Sequence, residues 1–394
     1  MSVRLAAIAI LAATVLAAPP LSAATLSEKV FRKLSEIYEL READKPAEAL
    51  RETDNLLRRK LSDHEQAQTL LLKADLLLGQ DRYKDAIAPM EAALATGAVP
   101  EKRLDQIRYN LGQLYSQAGR YRDAIKILEG WVRNVQNVPA NAYFVLAACH
   151  LELDALRPAR RWADKGRAES KKLSYSQYQF IASIYVQQSD WSALQKLLEE
   201  AIEAFPDKVE FWRQLAQVHM ERNREAQALA VMRVAYANGL LKRGDDLVRL
   251  AQLMRLQNAP WLAARVMEDG LRRRVIESTS RNWLLLGNSW TAAREYERAY
   301  PSLAKAAEMT KKPRDWLRLA RLYAQNAGWG GCLKSADAGL RAGPEDPGPF
   351  QLLRGICAYE EGDFKDALEA FARARKSKKS AAEARGWIQF IESL

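Results

Sequence analysis

The stretch Leu111-Gly112-Gln113-Leu114-Tyr115-Ser116-Gln117-Ala118-Gly119-Arg120-Tyr121-Arg122-Asp123-Ala124 reads as one helix, a tight turn and the start of a second helix. Gly112 is small, and Tyr115 follows one turn later on the same face. Gly119 supplies the left-handed residue that ends a helix, and Ala124 is a small contact residue of the next one. The spacing predicts a helical hairpin closing on itself.

The rest of the chain repeats this pattern. Its first small position falls at Ala74, Gly112, Ala147, Ala182, Ala216, Ala251, Gly287, Ala320 and Gly355, at intervals of 33 to 38 residues. Twelve residues after each comes Ala86, Ala124, Ala159, Leu194, Ala228, Ala263, Ala299, Cys332 and Ala367, an offset that never changes. Three residues after the first position stands a residue that is usually large, such as Tyr115, His150, Tyr185, His219, Trp290 or Tyr323. A third small residue recurs seven after the second, as at Ala93, Ala235, Gly270 and Gly339. Two packed helices need small residues where their backbones approach and large ones where the gap must be filled, so the alternation follows from packing.

By these residues the units resemble the tetratricopeptide repeat, whose period is 34 residues. Trp212…Leu215-Ala216, Trp283…Leu286-Gly287 and Trp316…Leu319-Ala320 match its first-helix signature, and Gly362-Asp363-Phe364-Lys365-Asp366-Ala367 matches its turn and second helix. The resemblance implies an all-α fold: a right-handed superhelical α-solenoid of about ten helix hairpins with a C-terminal capping helix. Residues 25–60 form a degenerate first repeat, in which Ile37 and Ala49 keep the twelve-residue offset while Asp44-Lys45-Pro46 replaces the glycine turn. Regular repeats follow over residues 66–376, the first turning at Gly79-Gln80-Asp81. A helix over 381–394 closes the stack with Trp387, Ile388 and Ile391, so that 25–394 is read as one solenoid. Arg354 departs from the pattern, standing where leucine is usual.

The N-terminus reads differently. Arg4 precedes the apolar run Leu5 to Ala18, Pro19-Pro20 breaks it, and Ser22-Ala23-Ala24 offers small residues for cleavage. Residues 1–24 are therefore expected to be a cleaved secretory signal peptide of bacterial type, giving a periplasmic protein that starts near Thr25. The run is short for a membrane span, and no later stretch predicts a transmembrane segment. The formal charge of +11 favours anionic partners only weakly. Arg272-Arg273-Arg274 and similar clusters lie beside helix ends without a nucleic-acid-binding module, so no nucleic-acid partner is expected. Cys149, Cys332 and Cys357 read as small buried side chains, with a Cys332–Cys357 bridge between neighbouring units as the alternative.

No catalytic, metal-binding or cofactor-binding motif emerges. His150 and His219 occupy the slot filled elsewhere by tyrosine, which favours packing over chemistry; hydrolysis dependent on either histidine is the enzymatic alternative. Binding remains. In tetratricopeptide stacks the first helix of each unit lines the concave surface, so residues three before and one after each small position point into a groove. These are Tyr109 with Gln113, Phe144 with Ala148, Gln179 with Ser183, Arg213 with Gln217, Val248 with Gln252, Leu284 with Asn288, and Leu317 with Arg321. Such a wall of amides, apolar side chains and arginines suits an extended or helical peptide, with Arg213 and Arg321 adding charge-assisted contacts. Both arginines are expected to tolerate charge reversal without unfolding. The Lys/Asn/Asn/Lys/Arg carboxylate clamp of cytosolic chaperone adaptors is missing.

A more specific likeness lies in the middle third. Asn238-Gly239-Leu240-Leu241, Ala259-Pro260-Trp261-Leu262-Ala263-Ala264-Arg265-Val266-Met267-Glu268-Asp269-Gly270-Leu271 and Asn282-Trp283-Leu284-Leu285-Leu286 resemble the periplasmic tetratricopeptide proteins that accompany some TonB–ExbB–ExbD energy-transducing systems. The resemblance implies an accessory role in nutrient uptake at the outer membrane, for iron chelates or similar compounds, with TonB, ExbB or ExbD components as partners. The competing reading is a periplasmic assembly factor for cell-wall or exopolysaccharide machinery.

Overall fold

The computed structural model describes residues 26–394, so the expected signal peptide lies outside the described residues. Among the described residues the chain forms twenty-one α-helices and no strand. It divides into two compact units, the first ending at Leu197 and the second beginning at Leu198. The first contains α1 (Glu28–Glu42), α2 (Pro46–Leu57), α3 (Asp63–Leu78), α4 (Tyr83–Ala95), α5 (Glu101–Gln117), α6 (Tyr121–Asn134), α7 (Ala140–Glu152), α8 (Leu156–Glu169) and α9 (Tyr175–Gln187). The division falls within α10 (Trp191–Ala204). The second contains α11 (Val209–Glu221), α12 (Glu225–Ala237), α13 (Gly244–Leu256), α14 (Pro260–Arg272), α15 (Ser280–Ala292), α16 (Tyr296–Thr310), α17 (Pro313–Gln325), α18 (Trp329–Arg341), α19 (Gly348–Glu360), α20 (Phe364–Ala374) and α21 (Ala381–Glu392).

Odd-numbered helices up to α19 each begin a hairpin, and every hairpin turns in the same way. Seven residues after the first small position the backbone becomes left-handed, at Asp44, Asp81, Gly119, Asp154, Ser189, Asn223, Asn258, Arg294, Ala327 and Gly362. The next residue then donates its N–H across the turn to the carbonyl of the large position, as from Arg120 to Tyr115 and from Arg224 to His219, both at 2.8 Å. One carbonyl orphaned by the helix end is thereby satisfied. Glycine fills only two of these ten sites; aspartate or asparagine, which tolerate the conformation, fill five. Within the turn expected at Gly79-Gln80-Asp81, Gly79 is right-handed at φ −64° and Asp81 carries the left-handed residue.

The small positions are fully enclosed. Ala74, Ala86, Ala124, Ala147, Ala251 and Ala320 have no solvent exposure. Where glycine replaces alanine, a larger side chain from the second helix fills its place. A Cβ on Gly112 would stand 2.4 Å from Leu128 Cγ, one on Gly287 2.6 Å from Leu303, and one on Gly355 2.6 Å from Phe371. The register read from the sequence thus places each contact where the helices touch.

Three features at the edges complete the packing. Trp387 stacks on Phe371 at 5.6 Å and Ile391 is buried, so α21 closes the last apolar face. Arg354, the departure from the pattern, reaches Asp337 at 2.8 Å and Asp366 at 2.9 Å, joining α18, α19 and α20. Cys332 and Cys357 are disulfide-bonded, linking α18 to α19, which corrects the reading of three plain buried cysteines. Cys332 takes a small-residue position of α18 and Cys357 lies two residues after Gly355 on α19, with the two Cα atoms 6.3 Å apart. Cys149 is free and buried, and burial pushes its thiol up to about 11.

At the first repeat, one carboxylate caps two helices. Glu65 accepts from the Ser27 N–H at 2.9 Å and hydroxyl at 2.6 Å, and from the Ser62 N–H at 2.9 Å. Ser27 and Ser62 precede α1 and α3, so the charge also meets two helix N-termini. The Ser27 hydroxyl, then the Ser62 backbone, hold the Glu65 carboxyl down to about 2 from an ordinary 4.5. A depressed carboxylate contributes stability that is present above its unfolded pKa and lost as pH falls through the folded one. Glu65→Gln is therefore expected to cost about 2 kcal/mol at neutral pH. Its deficit should narrow as the pH falls from about 4.5 towards 2. Urea melts across that range check this, and a deficit independent of pH would contradict the assignment.

Candidate functional site: the first-helix face

The expected groove residues separate into those that pack and those that stay open. In the first unit, Phe144 is 4% exposed; its ring lies edge-on to Phe180 at 6.4 Å and fills the space beside Gly166, 3.1 Å from where a Cβ would be. It is a core residue rather than a groove residue, because Gly166 leaves a hole that an aromatic ring can occupy. Tyr109 is half-buried, stacks on Trp131 at 4.8 Å and has Asn141 donating to its hydroxyl at 3.4 Å. Gln113 and Gln179 are half-buried on α5 and α9.

In the second unit, Arg213 is not a free cation. Its Nε and Nη2 donate to the two oxygens of Asp246 at 2.7 and 2.6 Å, and Asp246 is 6% exposed. This fork joins α11 to α13 and removes Arg213 from the candidate binding residues. The positions one after each small residue remain accessible: Gln217, Asn288 and Arg321 are exposed, and Gln252 is half-buried. They lie on α11, α13, α15 and α17, the first helices of four successive hairpins. Gln217 donates to Glu221 at 2.6 Å, Leu284 offers an exposed apolar neighbour, and Arg321 makes no ion pair among the described residues. The site that survives is a stripe of three amides, Gln217, Gln252 and Asn288, ending in Arg321.

Sequence comparison bears on this architecture. Profiles of the tetratricopeptide repeat match residues 34–101, 181–239 and 317–384, and another matches 108–134, together more than half of the chain. The chain belongs to the tetratricopeptide repeat family. None of the curated proteins matches it. Solved structures that it resembles include a tetratricopeptide repeat protein from Parabacteroides merdae, at 14% identity and TM-score 0.39, covering 72% of this chain and 94% of that one. Another is the C-terminal part of a tetratricopeptide protein from Cytophaga hutchinsonii, at 13% identity and TM-score 0.42, covering 61% of this chain and 97% of that one. A third is YrrB, described as a tetratricopeptide protein with an unusual peptide-binding site, at 13% identity and TM-score 0.37, covering 46% and 88%.

The large slot of the tetratricopeptide unit carries polar locks that pattern reading missed. The Tyr115 hydroxyl donates to Glu91 at 2.6 Å and the Tyr185 hydroxyl to Asp164 at 2.5 Å, each acid lying on the second helix of the preceding hairpin. A guanidinium covers each ring: Arg120 over Tyr115 at 4.4 Å and Arg160 over Tyr185 at 4.9 Å. Burial, reinforced by the bond to Asp164, pushes the Tyr185 hydroxyl up to about 12. His150 takes the same place, 3.4 Å from Glu129, and His219 is 6% exposed with its pKa lowered by burial. An acid 21 to 24 residues before Tyr115, His150 and Tyr185 was the available signal. Among the described residues no group of three histidine, cysteine, aspartate or glutamate side chains is placed to hold a metal, and no helix is long and apolar enough to cross a membrane.

Proposed function

We propose that this tetratricopeptide protein is a periplasmic scaffold that holds a peptide segment of a partner along its first-helix face. In this reading it is an accessory to a TonB–ExbB–ExbD-type energy-transducing complex serving uptake of a nutrient such as an iron chelate. Proteins built from this repeat generally mediate protein–protein interaction. The observation that carries the binding role is the run Gln217, Gln252, Asn288 and Arg321, one residue per hairpin at the same register. A side-chain amide offers a donor and an acceptor together, which matches the alternating groups of an extended backbone. Arg321 supplies a charge-assisted contact for a carboxylate at one end. The periplasmic placement rests on the composition of residues 1–24, and the energy-transducing role on the likeness of the run from Asn238 to Ala307.

The test is crosslinked capture of the tagged mature protein from solubilised envelopes of nutrient-starved cells, beside an Asn288→Ala/Arg321→Glu variant. Recovery of TonB, ExbB or ExbD by the wild type, reduced at least fivefold by the variant, is expected. Recovery of cell-wall or polymer-export proteins instead would replace the energy-transducing role with that of an assembly factor.

A further inference from the structure

The second helices of the second unit form a surface of different chemistry. Between α12, α14 and α16 lies a groove of about 650 Å³. Its floor is apolar, with Met254 and Val266 buried beneath it, while Tyr236 and Leu262 on its walls are 40% and 41% exposed. Trp261, adjoining Leu262, is 44% exposed. Large apolar side chains left half in water on neighbouring helices mark an interaction surface rather than scattered exposure. Four arginines ring the groove, but they are not equivalent. Arg298 holds Glu268 at 2.7 Å and Arg272 holds Asp269 at 2.6 Å. Arg233 and Arg265 are exposed and have no carboxylate partner among the described residues, and Arg265 lies 5.4 Å from the centre of the Trp261 ring.

We infer that this groove docks an acidic peptide segment of a partner protein, with an apolar or aromatic anchor entering between Tyr236 and Leu262 while its carboxylates meet Arg233 and Arg265. Aromatic residues and arginine are the side chains enriched in the energetic centres of interfaces, and here they stand together around a cleft deep enough for an anchor. Charge selects the occupant. A second copy of this chain would bring a net charge of +11 against a basic surface, whereas an acidic segment is complementary. A lipid surface is flat and would leave the floor of the groove unfilled. The walls of the groove lie on second helices and the stripe on first helices; only α13 serves both, giving Met254 to the groove floor and Gln252 to the stripe, so exposed residues of each can be substituted without touching the other.

The experiment is fluorescence anisotropy with the full mature chain and a labelled peptide of four glutamates flanking a Trp-Leu core. A version with glutamines in place of the glutamates, and vesicles of phosphatidylglycerol, are titrated beside it. Saturable binding of the glutamate peptide is expected, at least tenfold weaker for the glutamine peptide and at least tenfold weaker for Arg233→Glu/Arg265→Glu. Leu262→Ser should weaken it about fivefold. Arg161→Glu, beside a smaller basic groove of the first unit, should bind as wild type. All substituted side chains except that of Leu262 are exposed polar groups, and unchanged circular dichroism confirms folding. Absence of saturable binding, equal affinity for the glutamine peptide, an equal loss with Arg161→Glu, or binding to vesicles alone would overturn the assignment.

Discussion

Gly112→Leu is expected to destabilise the protein by about 3 kcal/mol, the upper end of what overpacking costs. The opposing gain is small: replacing a helical glycine by a good helix former recovers about 0.8 kcal/mol. Even a Cβ at this site would stand 2.4 Å from Leu128 Cγ and 2.5 Å from its Cδ2, and Leu128 is itself fully buried, so neither side chain has room to turn away. The same geometry predicts a rescue. Combining Gly112→Leu with Leu128→Ala moves the bulk from α6 to α5 at nearly constant volume and should return the protein to within about 1.5 kcal/mol of wild type. Urea denaturation followed by circular dichroism reads both variants. An unchanged midpoint for the single variant, or a double variant worse than the single, would contradict the register in which Gly112 faces Leu128.

Arg213→Glu should cost a comparable amount, about 3 kcal/mol, because it removes one partner of a largely enclosed, doubly hydrogen-bonded pair and sets a second carboxylate against Asp246. Asp246 belongs to the first turn of α13, so the pair also ties α11 to the start of that helix. Arg213→Gln, which keeps a donor without the charge, should lose about half as much. Arg321→Glu is the internal control. That side chain is exposed and makes no ion pair among the described residues, so its reversal should stay within about 0.5 kcal/mol of wild type. Equal melting temperatures for Arg213→Glu and Arg321→Glu would show that the fork between α11 and α13 contributes nothing to stability. The two arginines look alike in sequence, yet one is a strut and the other is available to a ligand.

The contrast shows what patterning reveals and what it hides. Small and large residues at fixed offsets made the hairpins legible, since a helix pair tolerates few residue types at its closest approach. Turn chemistry was only partly legible. The left-handed site recurs seven residues after each small position, but Ser189, Arg294 and Ala327 occupy it as well as glycine and aspartate, so residue identity alone does not single out Asp81 from Gly79 in the turn after Ala74. Groove assignments suffered most. Offset from the small position fixes which face a residue starts from, not what a neighbour leaves vacant: Gly166 drew Phe144 inward, and Asp246, 33 residues after Arg213, engaged its guanidinium. The polar locks at Tyr115 and Tyr185 involve acids on another hairpin, beyond any window read along one helix.

The most direct test of the account places a photo-crosslinking amino acid at Asn288 or Arg321 on the first-helix face and, separately, at exposed Lys305 on α16, in cells grown under nutrient limitation. The account predicts that Asn288 and Arg321 crosslink to the same component of a TonB-type complex and that Lys305 does not. Crosslinks to that component from Lys305 alone, or none from either first-helix position while the complex is still captured, would contradict it.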